Sequence, residues 1–274
     1  MTYDLQGLGA LDYLPYRHGA SRLVFRGPRR DLGAPYVAFL GGTQTFGKFI
    51  EQPYPLKVEH LTGVASINLG QINAGLDVFA NETVLHEISR NARVTVLEVL
   101  GAAHLGNPFY AVHPRRNDRF LRASKSLKEL FPEVDFTQFN FTQHMLQHLW
   151  QLDAERFGFV KRMLQRVWVR RMRQLSKKLG TNVVLLKLDV HETGNDWPDH
   201  MLKGPAFVTD KMLDRLGALV KATVLVPSPV VSRKREVQGM VFNLFQEKAA
   251  LALQGPEYHS AVAHALRPVL DRLM

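Results

Sequence analysis

The 274-residue sequence contains no cysteine, which excludes disulfide bonds, thiolate metal ligands and a cysteine nucleophile. It also lacks an uninterrupted apolar run of about 18 residues, so no membrane-spanning helix is expected. Its first residues, MTYDLQGLGALDYLPYRHG, carry Asp4 and Asp12 and do not match a signal peptide. A cysteine-free chain suits either redox state, and the cytoplasm is the default expectation for its location.

Acidic residues are scarce relative to basic ones: 25 Asp and Glu stand against 35 Lys and Arg, for a formal charge of +10. Such an excess favours an anionic partner. The basic residues are not interleaved with an aromatic stacking platform, which disfavours nucleic acid. We therefore expect an anionic small molecule or an acidic glycan as the partner. No feature of the sequence indicates the oligomeric state.

Short apolar runs separated by helical patterns predict the fold class. The runs lack strict alternation, which is typical of parallel strands covered on both faces. They predict a single α/β domain over residues 1–274, with three layers and a parallel five-stranded sheet. The predicted strands are Tyr36–Leu40, Val64–Leu69, Val94–Leu100, Val183–Leu188 and Thr223–Val226.

Residues 108–179 show little strand character, and we interpret them as a helical insertion or cap between the third and fourth strands. Within this region, apolar residues of the run 155–179 recur at roughly helical spacing. The many Arg and Lys residues between them are typical of a solvated helix face. The segment EYHSAVAHALRPVLDRLM predicts a last helix at the end of the chain.

Four segments that follow predicted strands or precede the last helix are rich in glycine or in small polar and titratable residues. Ligands of open α/β sheets bind at the carboxyl ends of the strands, so these segments are the candidate site. They are GGTQTFG (41–47), GQINAG (70–75), GAAHLGNPFY (101–110) and the stretch with Glu257 and His259.

The order and spacing of these segments resemble the SGNH, or GDSL-type, hydrolases. That resemblance implies a flavodoxin-like fold and an ester hydrolase or acyl transferase acting on an anionic glycan or a related substrate. Thr43 would be the nucleophile and His259 the base. The remaining candidates lie where the family has its oxyanion-stabilising groups: Gly70 and Asn73 in the second segment, His104 and Asn107 in the third.

The sequence departs from the family pattern at each block. Thr43 replaces serine and Gly42 replaces aspartate, while Ala103 stands where an asparagine donor is expected. Pro256 replaces the aspartate three residues before the histidine. These departures leave a second interpretation open, in which the site is degenerate and only binds acidic polysaccharide. Helix capping by threonine, asparagine turns and a satisfied core histidine remain the simpler explanations of these residue types.

Two basic segments, YRHGASRLVFRGPRRD and HPRRNDRF, lie next to the candidate loops in the chain and also resemble an uncharacterised bacterial family with no assigned activity. Guanidinium groups bind phosphate, sulfate or carboxylate, so these segments are expected to contact an anionic substrate. The predicted substrate-binding residues are Thr45, Arg22, Arg26, Arg115, Arg116 and Arg119.

GGTQTFGKF followed by HPRRNDRFLRAS is also loosely similar to sulfotransferases that use a nucleotide donor. This second resemblance implies phosphate contacts from Thr43, Thr45 and Lys48, then from Arg116 or Arg119 and Ser124. The loop does not have Walker spacing. We predict no resident cofactor and no metal ion, since His144 and His148 share a helix face without a third ligand.

Overall fold

The computed structural model describes residues 11–189, 205–228 and 237–274. Five parallel strands form the main sheet in the order β2-β1-β3-β6-β7, and a separate antiparallel pair joins β4 to β5. The prediction of an α/β chain with a parallel five-stranded sheet is therefore confirmed. The strands are β1 (Tyr36–Leu40), β2 (Ala65–Asn68), β3 (Val94–Glu98), β4 (Tyr110–Val112), β5 (Phe120–Ala123), β6 (Val183–Leu188) and β7 (Ala222–Val226).

Helices cover the main sheet on both faces, which is why β1 and β3 are buried along their whole length. Ala38 and Leu40 of β1 pack into one apolar cluster, while Val37 and Phe39 pack into the other. The described helices are α1 (Thr43–Phe46), α2 (Tyr54–Thr62), α3 (Leu76–Ala80), α4 (Thr83–Asn91), α5 (Lys125–Leu130), α6 (Thr142–Leu152), α7 (Ala154–Leu179), α8 (Asp210–Asp214), α9 (Glu247–Leu251) and α10 (Pro256–Leu273).

The region 108–179 is more than a set of helices, because it begins with the β4–β5 hairpin before α5, α6 and α7. Leu164 and Trp168 of α7 are completely buried, and the helix packs against α3 and α4. The indole Nε1 of Trp168 donates a hydrogen bond to the carbonyl of Leu100 at 2.7 Å. The long basic helix thus belongs to the core on one face, while Arg162 and Arg166 on its other face are exposed, as expected.

In the described ranges, no helix has the length and apolar character needed to cross a membrane.

Candidate functional site

The first and second loops meet at the hydroxyl of Thr43. This residue opens the one-turn helix α1 directly after β1 and is partly exposed. Its Oγ1 accepts a hydrogen bond from the backbone N–H of Asn73 at 3.0 Å. Asn73 has a φ of 57°, a left-handed conformation that asparagine tolerates better than most residues. The structure therefore brings together two of the residues predicted to be catalytic.

Gly70 has a different role from the one that the resemblance implies. Its N–H donates to Oδ1 of Asn68 at 3.0 Å, so this amide is already occupied. A Cβ at Gly70 would lie 2.3 Å from the backbone nitrogen of Phe46, which explains why glycine is needed there. The amide that faces the Thr43 hydroxyl is that of Asn73.

The third loop lies against the second. A Cβ on Gly75 would clash with the backbone oxygen of His104, which shows how closely the two loops approach. The side chain of Asn107 is used within its own turn, since Nδ2 donates to the Leu105 carbonyl at 3.0 Å and Oδ1 accepts from the Phe109 amide at 2.9 Å. His104 is partly exposed, and its ring has no hydrogen-bond partner within the described ranges. Among the described residues, no group occupies the ring of His104, which makes it a candidate for ligand contact.

His259 lies on α10 and is only 1% exposed. Its Nδ1 accepts the backbone N–H of Tyr54 at 3.0 Å, and its ring stacks on the Tyr54 ring at 5.8 Å. Nε2 has no partner among the described residues, so neither ring nitrogen is hydrogen-bonded to Thr43. Burial, assisted by the charges of Arg26 and Lys57, lowers the pKa of His259 from 6.5 to about 3. The expected nucleophile–base contact is absent from this part of the structure.

Glu98 is a central residue that the sequence interpretation missed. It ends β3, is 7% exposed, and its Oε2 accepts the N–H groups of Gly42 at 2.8 Å and Thr45 at 3.3 Å. The hydroxyl of Thr45 donates to the same oxygen and lies 2.6 Å from the hydroxyl of Tyr54. Burial raises the pKa of Glu98, and these hydrogen bonds oppose that shift. The sequence did contain a signal for this role, because an acidic residue within the apolar run VTVLEVL is expected to be buried and to need hydrogen-bond partners.

The contacts of Glu98 change the interpretation of the first loop. Thr45 was predicted to bind substrate, but its side chain is completely buried and is engaged by Glu98 and Tyr54. The amides of Gly42 and Thr45, which a phosphate cradle would require, donate to the carboxylate of Glu98. The loop is therefore folded around an anion that the chain itself supplies.

The predicted arginine contacts are not equivalent. Arg26 is buried, and its guanidinium donates to main-chain carbonyls, including those of Ile50 at 2.6 Å and Glu51 at 2.9 Å. It holds the segment after α1, and burial lowers its pKa to about 10. The guanidinium of Arg119 lies 4.1 Å from the centre of the Phe141 ring. Arg22, Arg115 and Arg116 are exposed.

The segment HPRRND forms a turn that is attached to the second loop. The buried Asn117 donates its N–H to the Asn73 carbonyl at 3.1 Å, and its Oδ1 accepts the N–H of Gly75 at 2.9 Å. Asp118 accepts from Nδ2 of Asn73 at 3.3 Å through Oδ2. These contacts attach the turn that carries Arg115 and Arg116 to the loop whose Asn73 amide donates to Thr43. The roles of Asn117 and Asp118 were not expected from the sequence.

Residues 1–274 match a protein family that is described as a domain of unknown function, DUF6473. The chain belongs to the DUF6473 family. No curated protein matches it. In this DUF6473 chain, the described residues include no group of three potential metal ligands among histidine, aspartate and glutamate.

The arrangement gives the DUF6473 site a hydroxyl, a backbone N–H that donates to it and, on the adjacent loop, an imidazole without a hydrogen-bond partner in the described part of the chain. Lys48 and Arg116 lie on segments that are hydrogen-bonded to Thr43 and to Asn73's loop, and burial together with the charge of Arg116 lowers the pKa of Lys48. Such a set can bind an anion and can stabilise negative charge that develops on an oxygen near Thr43.

The burial of His259 should make this DUF6473 protein sensitive to mild acid. A histidine whose folded pKa is depressed contributes stability above its unfolded pKa and loses it as the pH falls toward the folded pKa. For a pKa lowered from 6.5 to about 3, that loss is about 2 kcal/mol at pH 5 relative to pH 7. His259→Asn keeps an acceptor for the Tyr54 amide but does not titrate, so its unfolding free energy should change less.

Urea unfolding at pH 7 and pH 5 checks this expectation. His60→Asn, at an exposed histidine of α2, is the matched control and should retain the acid sensitivity of the unmodified protein. Equal acid sensitivity in the His259→Asn and unmodified proteins would show that His259 is not the responsible group.

Proposed function

We propose that this DUF6473 protein is an SGNH-like ester hydrolase or acyl transferase acting on an anionic glycan or a related anionic ester. The observation that carries the proposal is the hydrogen bond from the Asn73 amide to Thr43 Oγ1 at 3.0 Å. It joins a hydroxyl after the first strand to a backbone donor after the second, at the carboxyl edge of the sheet. The strand order β2-β1-β3-β6-β7 supports the same proposal. If only the strands of the main sheet are counted, this order is 2-1-3-4-5, which is typical of flavodoxin-like sheets.

In the proposed reaction, Thr43 Oγ1 attacks the carbonyl carbon of the ester, and the carbonyl oxygen takes up negative charge. In this proposal the N–H of Asn73, which donates to Thr43 Oγ1 at 3.0 Å, turns to that oxyanion as Thr43 attacks, and the ring of His104 supplies a second donor. The bond to the alcohol then breaks, and the alcohol leaves with the proton that Thr43 releases. Water or an acceptor hydroxyl removes the acyl group from Thr43 and returns a proton to it.

The experiment that tests the proposal uses the full chain with a neutral ester, 4-nitrophenyl acetate, and with an O-acetylated acidic polysaccharide. Release of nitrophenol or acetate above the buffer rate supports esterase chemistry. Salt-sensitive polysaccharide binding without release of acetate would instead identify a site that binds only. That outcome is a real alternative, because no described carboxylate or imidazole is hydrogen-bonded to Thr43 as its base.

His104 provides a further test of the oxyanion assignment. We expect His104→Ala to lower kcat by about a hundredfold, since removing one oxyanion donor has that effect in hydrolases. His104→Gln keeps an N–H donor but cannot titrate, so it should recover most of the activity. Initial rates on 4-nitrophenyl acetate measure both variants. A His104→Gln variant as slow as His104→Ala would contradict a donor role for the ring.

The second resemblance, to nucleotide-dependent sulfotransferases, has no comparable support. A phosphate bound by the first loop would need hydrogen bonds from the N–H groups of Gly42 and Thr45. Both N–H groups already donate to Oε2 of Glu98. We therefore do not extend the proposal to group transfer from a nucleotide.

A further inference from the structure

Lys48 follows α1, the short helix that begins with Thr43. It follows Gly47, whose φ of 74° turns the chain at the end of α1, and its backbone N–H points to the Thr43 carbonyl at 3.4 Å. The side chain is half-buried, and Nζ lies 4.7 Å from the centre of the Phe49 ring. Within the described ranges, no carboxylate forms an ion pair with Lys48.

Arg116 lies on the HPRRND turn, which is hydrogen-bonded to the second loop through Asn117. Its N–H donates to Nδ1 of His113 at 3.1 Å, and its carbonyl accepts the N–H of Arg119 at 2.9 Å. The next residue, Asn117, donates its N–H to the carbonyl of Asn73. The N–H of Asn73 in turn donates to Thr43 Oγ1. The backbone of Arg116 is therefore held in place while its guanidinium is exposed and has no ion-pair partner in the described part of the chain.

Two other basic side chains of the described ranges, those of Arg30 and Arg26, are already engaged. Arg30 pairs with Glu59 at 2.6 Å, and Arg26 donates to main-chain carbonyls. Lys48 and Arg116, in contrast, have no ion-pair partner in the described ranges, and burial together with repulsion by the charge of Arg116 lowers the pKa of Lys48. An anion between two like charges would relieve this repulsion.

We propose that Lys48 and Arg116 form an anion-binding subsite beside Thr43. This subsite binds a phosphate, sulfate or carboxylate group of the substrate. The Arg116 fork can bind two oxygens, and the half-buried Lys48 supplies a point charge. This inference deepens the proposed function and rests on it for the link to turnover. Anion binding itself requires neither Thr43 nor catalysis.

The binding test titrates inorganic phosphate, sulfate and acetate separately into the full chain by isothermal calorimetry, at constant ionic strength set with sodium chloride. Lys48→Gln and Arg116→Gln should each weaken binding of the preferred anion about tenfold, as expected for the loss of a charge-assisted hydrogen bond. Arg170→Gln, at an exposed arginine of α7, is the matched control and should bind normally. Absence of binding, or equal affinity in all four proteins, would overturn the subsite.

Two further measurements separate this inference from the proposed reaction. Thr43→Ala should bind the preferred anion with unchanged affinity, even if no esterase activity is found. If activity is found, Lys48→Gln and Arg116→Gln should lower kcat/KM for 4-nitrophenyl hemisuccinate about tenfold relative to 4-nitrophenyl acetate. Equal losses on both esters would exclude specific recognition of the substrate's anionic group.

Discussion

Replacing Thr43 with alanine is expected to reduce ester turnover to the buffer rate while leaving the fold intact. The substitution removes the oxygen that we propose as nucleophile and that accepts the Asn73 amide. Because Thr43 is partly exposed, water can reach the Asn73 amide that loses its acceptor. The loss in unfolding free energy should therefore be about 1 kcal/mol. Thr43→Ser keeps the hydroxyl without its crowding methyl and should equal or exceed the unmodified rate.

Initial rates and burst amplitudes on 4-nitrophenyl acetate measure these variants, with urea unfolding to verify that each is folded. Thr83→Ala, at an exposed threonine at the start of α4, controls for the loss of a threonine elsewhere. Turnover by Thr43→Ala at the unmodified rate would remove Thr43 from the mechanism. A slow Thr43→Ser variant would also contradict nucleophilic attack by this hydroxyl.

Replacing Glu98 with alanine should cause the largest loss of stability among the variants considered, about 4 kcal/mol. Removal of its carboxylate leaves the buried amides of Gly42 and Thr45 and the Thr45 hydroxyl without their acceptor. Glu98→Gln keeps one acceptor oxygen and should be considerably less destabilised. Urea unfolding at pH 7 compares them with Glu87→Ala, an exposed glutamate of α4 whose loss should change little.

The pH dependence of the same comparison tests the raised pKa of Glu98. An acid whose folded pKa lies above its unfolded value contributes stability that is present at low pH and is lost as the pH rises through the folded pKa. The unmodified protein should therefore lose stability relative to Glu98→Gln as the pH rises above the ordinary glutamate value of 4.5. A constant difference between the two proteins across that range would contradict the raised pKa.

Much of the fold was predictable because short apolar runs are a direct signal of buried parallel strands. Each of the five predicted runs coincides with one strand of the main sheet, with ends that agree within about two residues. The β4–β5 hairpin was missed because strands of three and four residues produce no clear pattern in a basic, aromatic stretch. The cytoplasmic location stays a prediction, since cysteine content suits either compartment.

The candidate site was predicted less completely, because its contacts join residues distant in the chain. The sequence indicated which loops lie at the carboxyl edge, and Thr43 and Asn73 do meet there. It did not indicate that Gly70 would donate to Asn68, nor that Asn107 would close its own turn. A resemblance assigns roles by position in a motif, whereas a hydrogen bond depends on the direction in which each amide points.

The sequence by itself determined the short apolar runs that form a parallel sheet covered on both faces. It also determined the excess of positive charge and the glycines that permit close contacts between loops. Only the tertiary structure decided which charges remain available at the site. It buried Glu98 beneath the first loop and turned Arg26 onto main-chain carbonyls, while Lys48 and Arg116 kept no described ion-pair partner. Composition counts charges, but burial and hydrogen-bond geometry decide which of them a ligand can reach.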